Sequence, residues 1–360
     1  MEGSPIDIVI FAPLAVILGV LLFWFLQLLF IEYEKLLLSK IRPKHEPLCR
    51  FTNLLGILFQ SICHALGYTV TKSGISDFYI SVNYGKVAPK REKTGIFEWI
   101  SNAFLFIGPF FLPALILLIY VYFSPVTFEV VTPSQLIDVK YTFAGQMNTF
   151  GSSLWSFSTS FFHIFFNIDF FHPGHLGFMI LLIFLGMGMR PSYIGEQKQE
   201  KVDMLYDLKN IWEWIRKKPL YILMFFLMAY IIFYISLIFN QNWYVAIFSI
   251  FGWLSIIAIV SLIVANMILL LIKTTDEIPG KIKLLSYITL PVSYVLMRVL
   301  FFYYPMENSN MISLAVMIMS TIIVTYLLLR FKTNKFKSER DIKLFKKKNK
   351  KKGKGKTDEG

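Results

Sequence analysis

Long apolar segments recur along this chain, and they decide what it can fold into. Each approaches or exceeds the roughly 20 apolar residues that an α-helix needs to cross about 30 Å of hydrocarbon. A hydrophobic fraction of 56% over 360 residues would leave large apolar patches on a soluble domain. The sequence therefore predicts an all-α polytopic integral membrane protein with about seven to eight transmembrane helices. The apolar segments cover 6–31, 100–123, 175–189, 220–239, 245–272, 288–304 and 311–329, with a shorter one at 51–68.

The charges between the segments predict an orientation. The formal net charge is +13, and most lysines and arginines lie outside the apolar segments. Basic residues cluster in 190–218, in 273–283 and after 330, whereas 124–171 carries Lys140 alone. By the positive-inside rule the three basic regions are cytoplasmic and 124–171 lies outside. We therefore expect a multi-pass protein of the cell membrane with a cytoplasmic C-terminus.

The short apolar segment at 51–68 does not fit this pattern cleanly. Basic residues precede it at 35–50 and follow it at 72–93, so both flanks cannot be cytoplasmic if it crosses the membrane once. Either the segment dips in and returns, or one basic loop is exported. After it, alternating apolar residues between the turn signals Ser73-Gly74 and Asn83-Tyr84-Gly85 predict a small β-hairpin.

These patterns predict four parts. Residues 1–50 form an N-terminal anchor and basic connection, and 51–215 form a membrane core. Residues 216–331 form a C-terminal transmembrane bundle, and 332–360 form a cytoplasmic tail that is too charged to bury an apolar face and is expected to be disordered. Within the bundle, Arg298 is costly in hydrocarbon, and its expected partners are backbone carbonyls, Asn266 or the interface.

Three short segments of the core suggest a relationship. They are FQSICHALGYTVTK at 59–72, IGPFFLPALIL at 107–117 and MRPSYIGE at 189–196. With the hairpin between the first two, their order resembles the site-2 protease family of intramembrane zinc metalloproteases over about 51–215. The resemblance implies an HExxH helix whose two histidines hold zinc while the glutamate acts as base, and a third ligand, an aspartate, after the later span.

The chain departs from this motif at most catalytic positions. His64 matches the second histidine, but Gln60 stands at the first and Ser61 at the glutamate. Gly195 falls where the aspartate is expected, and Glu196 is one residue late. A carboxamide is a poor zinc ligand, and a lone serine hydroxyl is a poor base.

The resemblance therefore implies a degenerate, non-catalytic member with no resident cofactor. Its polar cleft, lined by Gln60, Ser61 and His64, would bind a transmembrane segment of a partner protein in the lipid bilayer. The alternative is an active zinc metalloprotease with substituted ligands, among them His64 and Glu196.

The basic tail supports a third hypothesis. Lysines next to the last span, 332–337, serve as a topology anchor. The lysines further along the tail are not required for this anchor. They favour contact with anionic lipids or ribosomal RNA, as in a membrane insertion or ribosome-docking factor. The distal lysines are Lys346, Lys347, Lys348, Lys350, Lys351 and Lys352.

Overall fold

The described part of the chain is mostly helical. A computed structural model describes residues 4–123 and 140–354, with side chains described as far as 331. Over these residues the secondary structure consists of α-helices, short 3-10 and π-helical turns, and two antiparallel sheets of two strands each. The predicted all-α polytopic fold with one small hairpin after the second apolar segment is confirmed. The helices are α1 Ala12–Ile41, α2 Glu46–Val70, α3 Ile96–Phe106, α4 Gly108–Phe123, α5 Phe143–Phe166, α6 Pro173–Met187, α7 Met204–Lys217, α8 Pro219–Ile238, α9 Trp243–Thr275, α10 Leu284–Tyr303 and α11 Ser309–Lys354.

Within the described residues, six stretches are long and apolar enough to cross a membrane, and a bent pair adds a seventh. The pair is α3 and α4, which meet at an angle of 67°. Pro109 lies two residues after the break at Ile107; its ring disfavours a continuous helix because it would collide with the carbonyl four residues back. Helix α6 is apolar but shorter, at 15 residues. The six stretches are Asp7–Ile41, Glu46–Val70, Pro219–Ile238, Trp243–Thr275, Gly280–Tyr303 and Ser309–Phe331.

The predicted hairpin forms directly after α2. Strand β1, Ile75–Ile80, pairs antiparallel with β2, Gly85–Pro89. Lys72 has a φ of +54° and ends α2, and the Ser73 amide then donates to the Tyr68 carbonyl at 2.8 Å, as in other helix C-terminal caps. A second sheet, β3 Tyr193–Ile194 with β4 Glu200–Lys201, follows α6.

The chain divides into two compact units. The first comprises Met1–Phe165 and Asp169–Leu269. Its core includes an aromatic cluster in which α1, α5, α8 and α9 meet, with Phe150, Phe233 and Tyr244 almost fully buried. The Tyr244 hydroxyl donates to the Pro13 carbonyl, which joins α9 to α1. The predicted boundaries at 50 and 215 both fall inside this unit.

The second unit comprises Phe166–Ile168 and Leu270–Gly360, and here α10 packs against α11. The Arg298 guanidinium donates to the side chains of Asn310 and, at 3.4 Å, Ser309. The Asn310 amide donates in turn to the Asn167 carbonyl at 3.2 Å. Asn266, one of the expected partners of Arg298, belongs to the first unit, where its amide donates to the Phe30 carbonyl at 3.2 Å. A helical hairpin brought Asn310 beside Arg298, and the sequence spacing did not reveal that.

The backbone of α11 continues as helix through 332–354, where the sequence predicts disorder. Lysine is a good helix former, and a helix already nucleated in the apolar span extends without a further nucleation cost. The predicted lipid- or RNA-binding lysines Lys346 to Lys352 lie in this extension, outside the residues whose side chains are described. Residues 355–360 and 124–139 lie outside the described backbone.

Candidate functional site

Asn53, a buried residue in the first half of α2, is bonded to two other elements of the resemblance, the hairpin and the segment 189–196. Its side-chain amide donates to the Val82 carbonyl at the hairpin tip, at 2.7 Å, and to the Tyr193 carbonyl at 3.0 Å. Its oxygen accepts from the backbone amides of Ser192 and Tyr193, both at 2.9 Å. One side chain thus ties α2, the hairpin and the connection after α6 into a single assembly, which we call the Asn53 clamp.

Glycines allow these segments to approach closely. A Cβ on Gly56 of α2 would overlap the backbone of Arg190 and Pro191. A Cβ on Gly85 of β2 would overlap the hydroxyl of Ser61. Both positions therefore require glycine for the observed packing. The hairpin consequently folds back along α2, so that its tip reaches the first half of that helix.

The three predicted cleft residues on α2 have different surroundings. Ser61 is buried beneath Gly85 of the hairpin. Gln60 and His64 lie four residues apart on one face of α2 and are half-buried. The His64 ring lies 6.1 Å from the Tyr68 ring, centroid to centroid. The hairpin thus covers the serine and leaves the carboxamide and the imidazole partly accessible.

The predicted third-ligand positions belong to the turn between β3 and β4. Gly195 has a φ of +127°, and a Cβ there would overlap the Lys198 carbonyl oxygen. Glu196 is exposed, and the Tyr84 hydroxyl donates to its Oε1 at 3.0 Å. This hydrogen bond raises the pKa of the Tyr84 phenol, because the neutral phenol is the donor. The carboxylate of Glu196 is therefore held at the hairpin tip.

These residues do not fit a catalytic zinc ion. Zinc in proteases takes histidine and carboxylate ligands, with an open position for water. Here a carboxamide, a covered hydroxyl and a glycine occupy three of the four family positions, and Glu196 contacts Tyr84 instead. Over residues 4–123 and 140–331, the side chains form no group of three or more His, Cys, Asp and Glu able to hold a metal ion.

A buried ion pair that the sequence did not predict lies beside the clamp. The Arg190 guanidinium donates to the Asp207 carboxylate, with 5% and 1% of the two side chains exposed. The same guanidinium lies over the Phe110 ring, 5.2 Å from its centroid. From the sequence, Arg190 was only one of the basic residues that indicate orientation. The features that could have revealed the pair are the position of Arg190 directly after an apolar span and an aspartate, Asp207, in the first turn of the following amphipathic helix.

Helix α7 connects this region to α3. At its start, the Met204 amide donates to Glu32 Oε2 of α1 at 3.1 Å. Beyond its end, Lys218 Nζ lies 2.7 Å from Glu98 Oε2, and this hydrogen-bonded carboxylate raises the pKa of Lys218. The Trp214 indole stacks on the Trp99 indole with 4.6 Å between ring centroids.

The arrangement is a polar, glycine-lined junction in which the segments of the resemblance are held together without the family's ligand set. The relation to site-2 proteases remains a prediction, since it depends on short motifs. No protein-family model, no curated protein and no solved structure matches this chain.

Proposed function

We propose that the chain is a non-catalytic, site-2-protease-like membrane protein that binds a segment of a partner protein without cutting it. The observation that supports this proposal is the Asn53 clamp. It brings together the helix that carries His64, the hairpin, and the segment that carries Gly195. These are three elements that the resemblance requires to be neighbours, and Asn53 was not part of the motif used to find them.

The hairpin supplies a surface for such a partner. Over the described residues β1 pairs with β2 alone, so its other edge has no strand beside it. Residues Ile75 to Tyr79 are exposed, including the large side chains of Phe78 and Tyr79. An extended peptide adds to an exposed strand edge through main-chain hydrogen bonds, and alternate side chains give specificity. The bound segment would lie beside β1.

Metal content and proteolysis test the non-catalytic part. The purified full-length protein should hold no stoichiometric zinc by elemental analysis and should leave membrane-embedded model substrates intact. Chelator-sensitive cleavage that disappears in His64→Ala would establish the alternative, an active metalloprotease with substituted ligands.

Cross-linking tests the binding part. A photoreactive phenylalanine analogue at Phe78 should capture a reconstituted partner segment at the strand edge. The matched control is the same analogue at Trp155, which is 73% exposed on α5. Equal capture from both positions would refute a specific site at β1.

The same contacts support a topology for α2. Helix α7 has 14 residues, which is about 21 Å and too short for the hydrocarbon core. Its first residue contacts Glu32, near the start of the basic stretch 35–50, and Lys218, directly after its end, contacts Glu98, just after the basic stretch 72–93. We infer that both stretches share the cytoplasmic side with 190–218; because α2 is one unbroken helix of 25 residues, it would then have both ends on that side and would not cross the membrane.

Accessibility of introduced cysteines tests this topology. In a variant without Cys49 and Cys63, single cysteines at Lys44 and at Lys93 should react with an impermeant reagent from the same side as one at Lys209. Labelling of positions 44 and 93 from opposite sides would show that α2 crosses the membrane.

A further inference from the structure

A cavity of about 100 Å³ lies between the end of α1, the start of α2, the hairpin tip and the β3–β4 connection. This volume equals about three water molecules at ~30 Å³ each, which is enough for one tetrahedral oxyanion. Its wall carries four cationic side chains and one carboxylate, Glu32. The cations are Lys35, Arg42, Arg50 and Lys201.

Lys35 is the unusual member of this set. Only 7% of the residue is exposed, and its Nζ has no hydrogen-bond acceptor among the described residues. Asp207, Glu32 and Glu34 attract this ammonium without a hydrogen bond to it, and Arg190 repels it. An ammonium buried without an acceptor is strongly disfavoured, so oxygen atoms brought by a ligand would stabilise it.

The other cations retain donors for the same ligand. Arg42 is exposed, and its guanidinium lies over the Tyr193 ring, 4.8 Å from the centroid, which fixes its plane beside the cavity. Arg50 and Lys201 lie 3.9 Å from Glu46 and Asp203, beyond hydrogen-bond length, with exposed side chains. The Glu32 carboxylate already accepts from the Met204 amide.

The position of the cavity indicates where its ligand comes from. The apolar segment of α1 ends at Ile31, and Lys35 and Arg42 follow within three helical turns. That is the level at which a bilayer's phosphate groups begin, and basic pockets between membrane helices recognise such headgroups. We propose that this cavity binds a phosphate group, with Lys35 as the buried ligand and Arg42 and Lys201 at its mouth.

Two probes distinguish a lipid headgroup from a soluble anion. In the first, full-length protein is extracted from mixed vesicles of phosphatidylcholine and phosphatidic acid, and retained lipid is measured by native mass spectrometry. In the second, inorganic phosphate is titrated at constant ionic strength, and its affinity is taken from the rise in melting temperature.

Three variants make the test specific. Lys35→Met removes the buried charge and keeps the length of the apolar stem. Lys201→Gln changes a side chain that is 60% exposed, so it tests the site even if Lys35→Met does not fold. Lys40→Met is the matched control, because Lys40 is an exposed lysine of the same helix outside the cavity wall.

For a lipid headgroup site, we expect the wild type and Lys40→Met to retain phosphatidic acid selectively. Lys35→Met should retain about tenfold less, and Lys201→Gln should show a smaller loss. The same pattern for inorganic phosphate without lipid retention would establish a soluble phosphate ligand. Equal binding by wild type and both cavity variants, or no binding of either probe by the wild type, would overturn the proposal.

Discussion

Replacing Asn53 by leucine removes the clamp while keeping a side chain of similar size. The amide donates two hydrogen bonds and the oxygen accepts two, so the substitution removes four. At about 1 kcal/mol net for each bond the loss is about 4 kcal/mol, and burial of the leucine side chain returns about 1 kcal/mol. We expect Asn53→Leu to lower the free energy of unfolding by about 3 kcal/mol.

Thermal unfolding in mild detergent measures this loss. For a unit of this size about 3 kcal/mol corresponds to a fall in melting temperature of about 6–12 °C. Hydrogen exchange should also accelerate at the Ser192 and Tyr193 amides, which lose their acceptor. The control is Asn83→Ala at the hairpin tip, where an exposed side chain accepts one bond from Gln199. A change in Asn53→Leu no larger than in Asn83→Ala would refute the clamp.

Three further outcomes are expected. Gly195→Ala should lower the free energy of unfolding by about 1–2 kcal/mol or more, because Gly195 has a positive φ and its Cβ would meet the Lys198 carbonyl. Gly151→Ala is the control, since a Cβ there meets open space, and it should be neutral or stabilising. Equal melting temperatures for the two variants would contradict this. Glu98 raises the pKa of Lys218, so their ion pair contributes its full stability to the folded state below the ordinary lysine pKa of 10.5. That contribution is lost as pH rises through the higher pKa of the folded state. The difference in unfolding free energy between wild type and Lys218→Met should therefore shrink only above pH 10.5. Removal of 338–360 should weaken co-sedimentation with anionic vesicles at low salt while membrane insertion persists; unchanged co-sedimentation would show that the tail does not bind them.

Segment length and turn chemistry predicted the fold because both act locally. The long apolar runs became helices, and Ser73-Gly74 and the residues around Asn83 became the turns of the hairpin. The Asn53 clamp could not be predicted, since its partners lie 29 and about 140 residues away and no pattern links them. For the same reason the partner of Glu196 could not be predicted from the sequence. Motif spacing suggested that Glu196 and His64 are ligands of one zinc ion, whereas Glu196 accepts a hydrogen bond from Tyr84 because the hairpin tip meets the β3–β4 turn.

The sequence predicted which helix and hairpin form the candidate site, but not the contacts that its side chains make. Periodicity placed Gln60 and His64 on one face of a helix, as found. It could not show that Gly85 would cover Ser61, because that contact depends on how far the hairpin folds back. Buried charges were also missed, since Lys35 and Arg190 count as orientation signals until their burial is known.

The Asn53 clamp imposes an order on synthesis. Val82 follows Asn53 closely, so the hairpin can bond to α2 as soon as both have left the ribosome. Ser192 and Tyr193 are made about 140 residues later, which takes roughly 7–28 s at typical elongation rates. During that interval the Asn53 oxygen lacks its native donors, and α2 is held by local contacts alone. Truncated chains released from the ribosome that end before 188 should therefore expose the hairpin to protease, and released chains that extend past 202 should protect it.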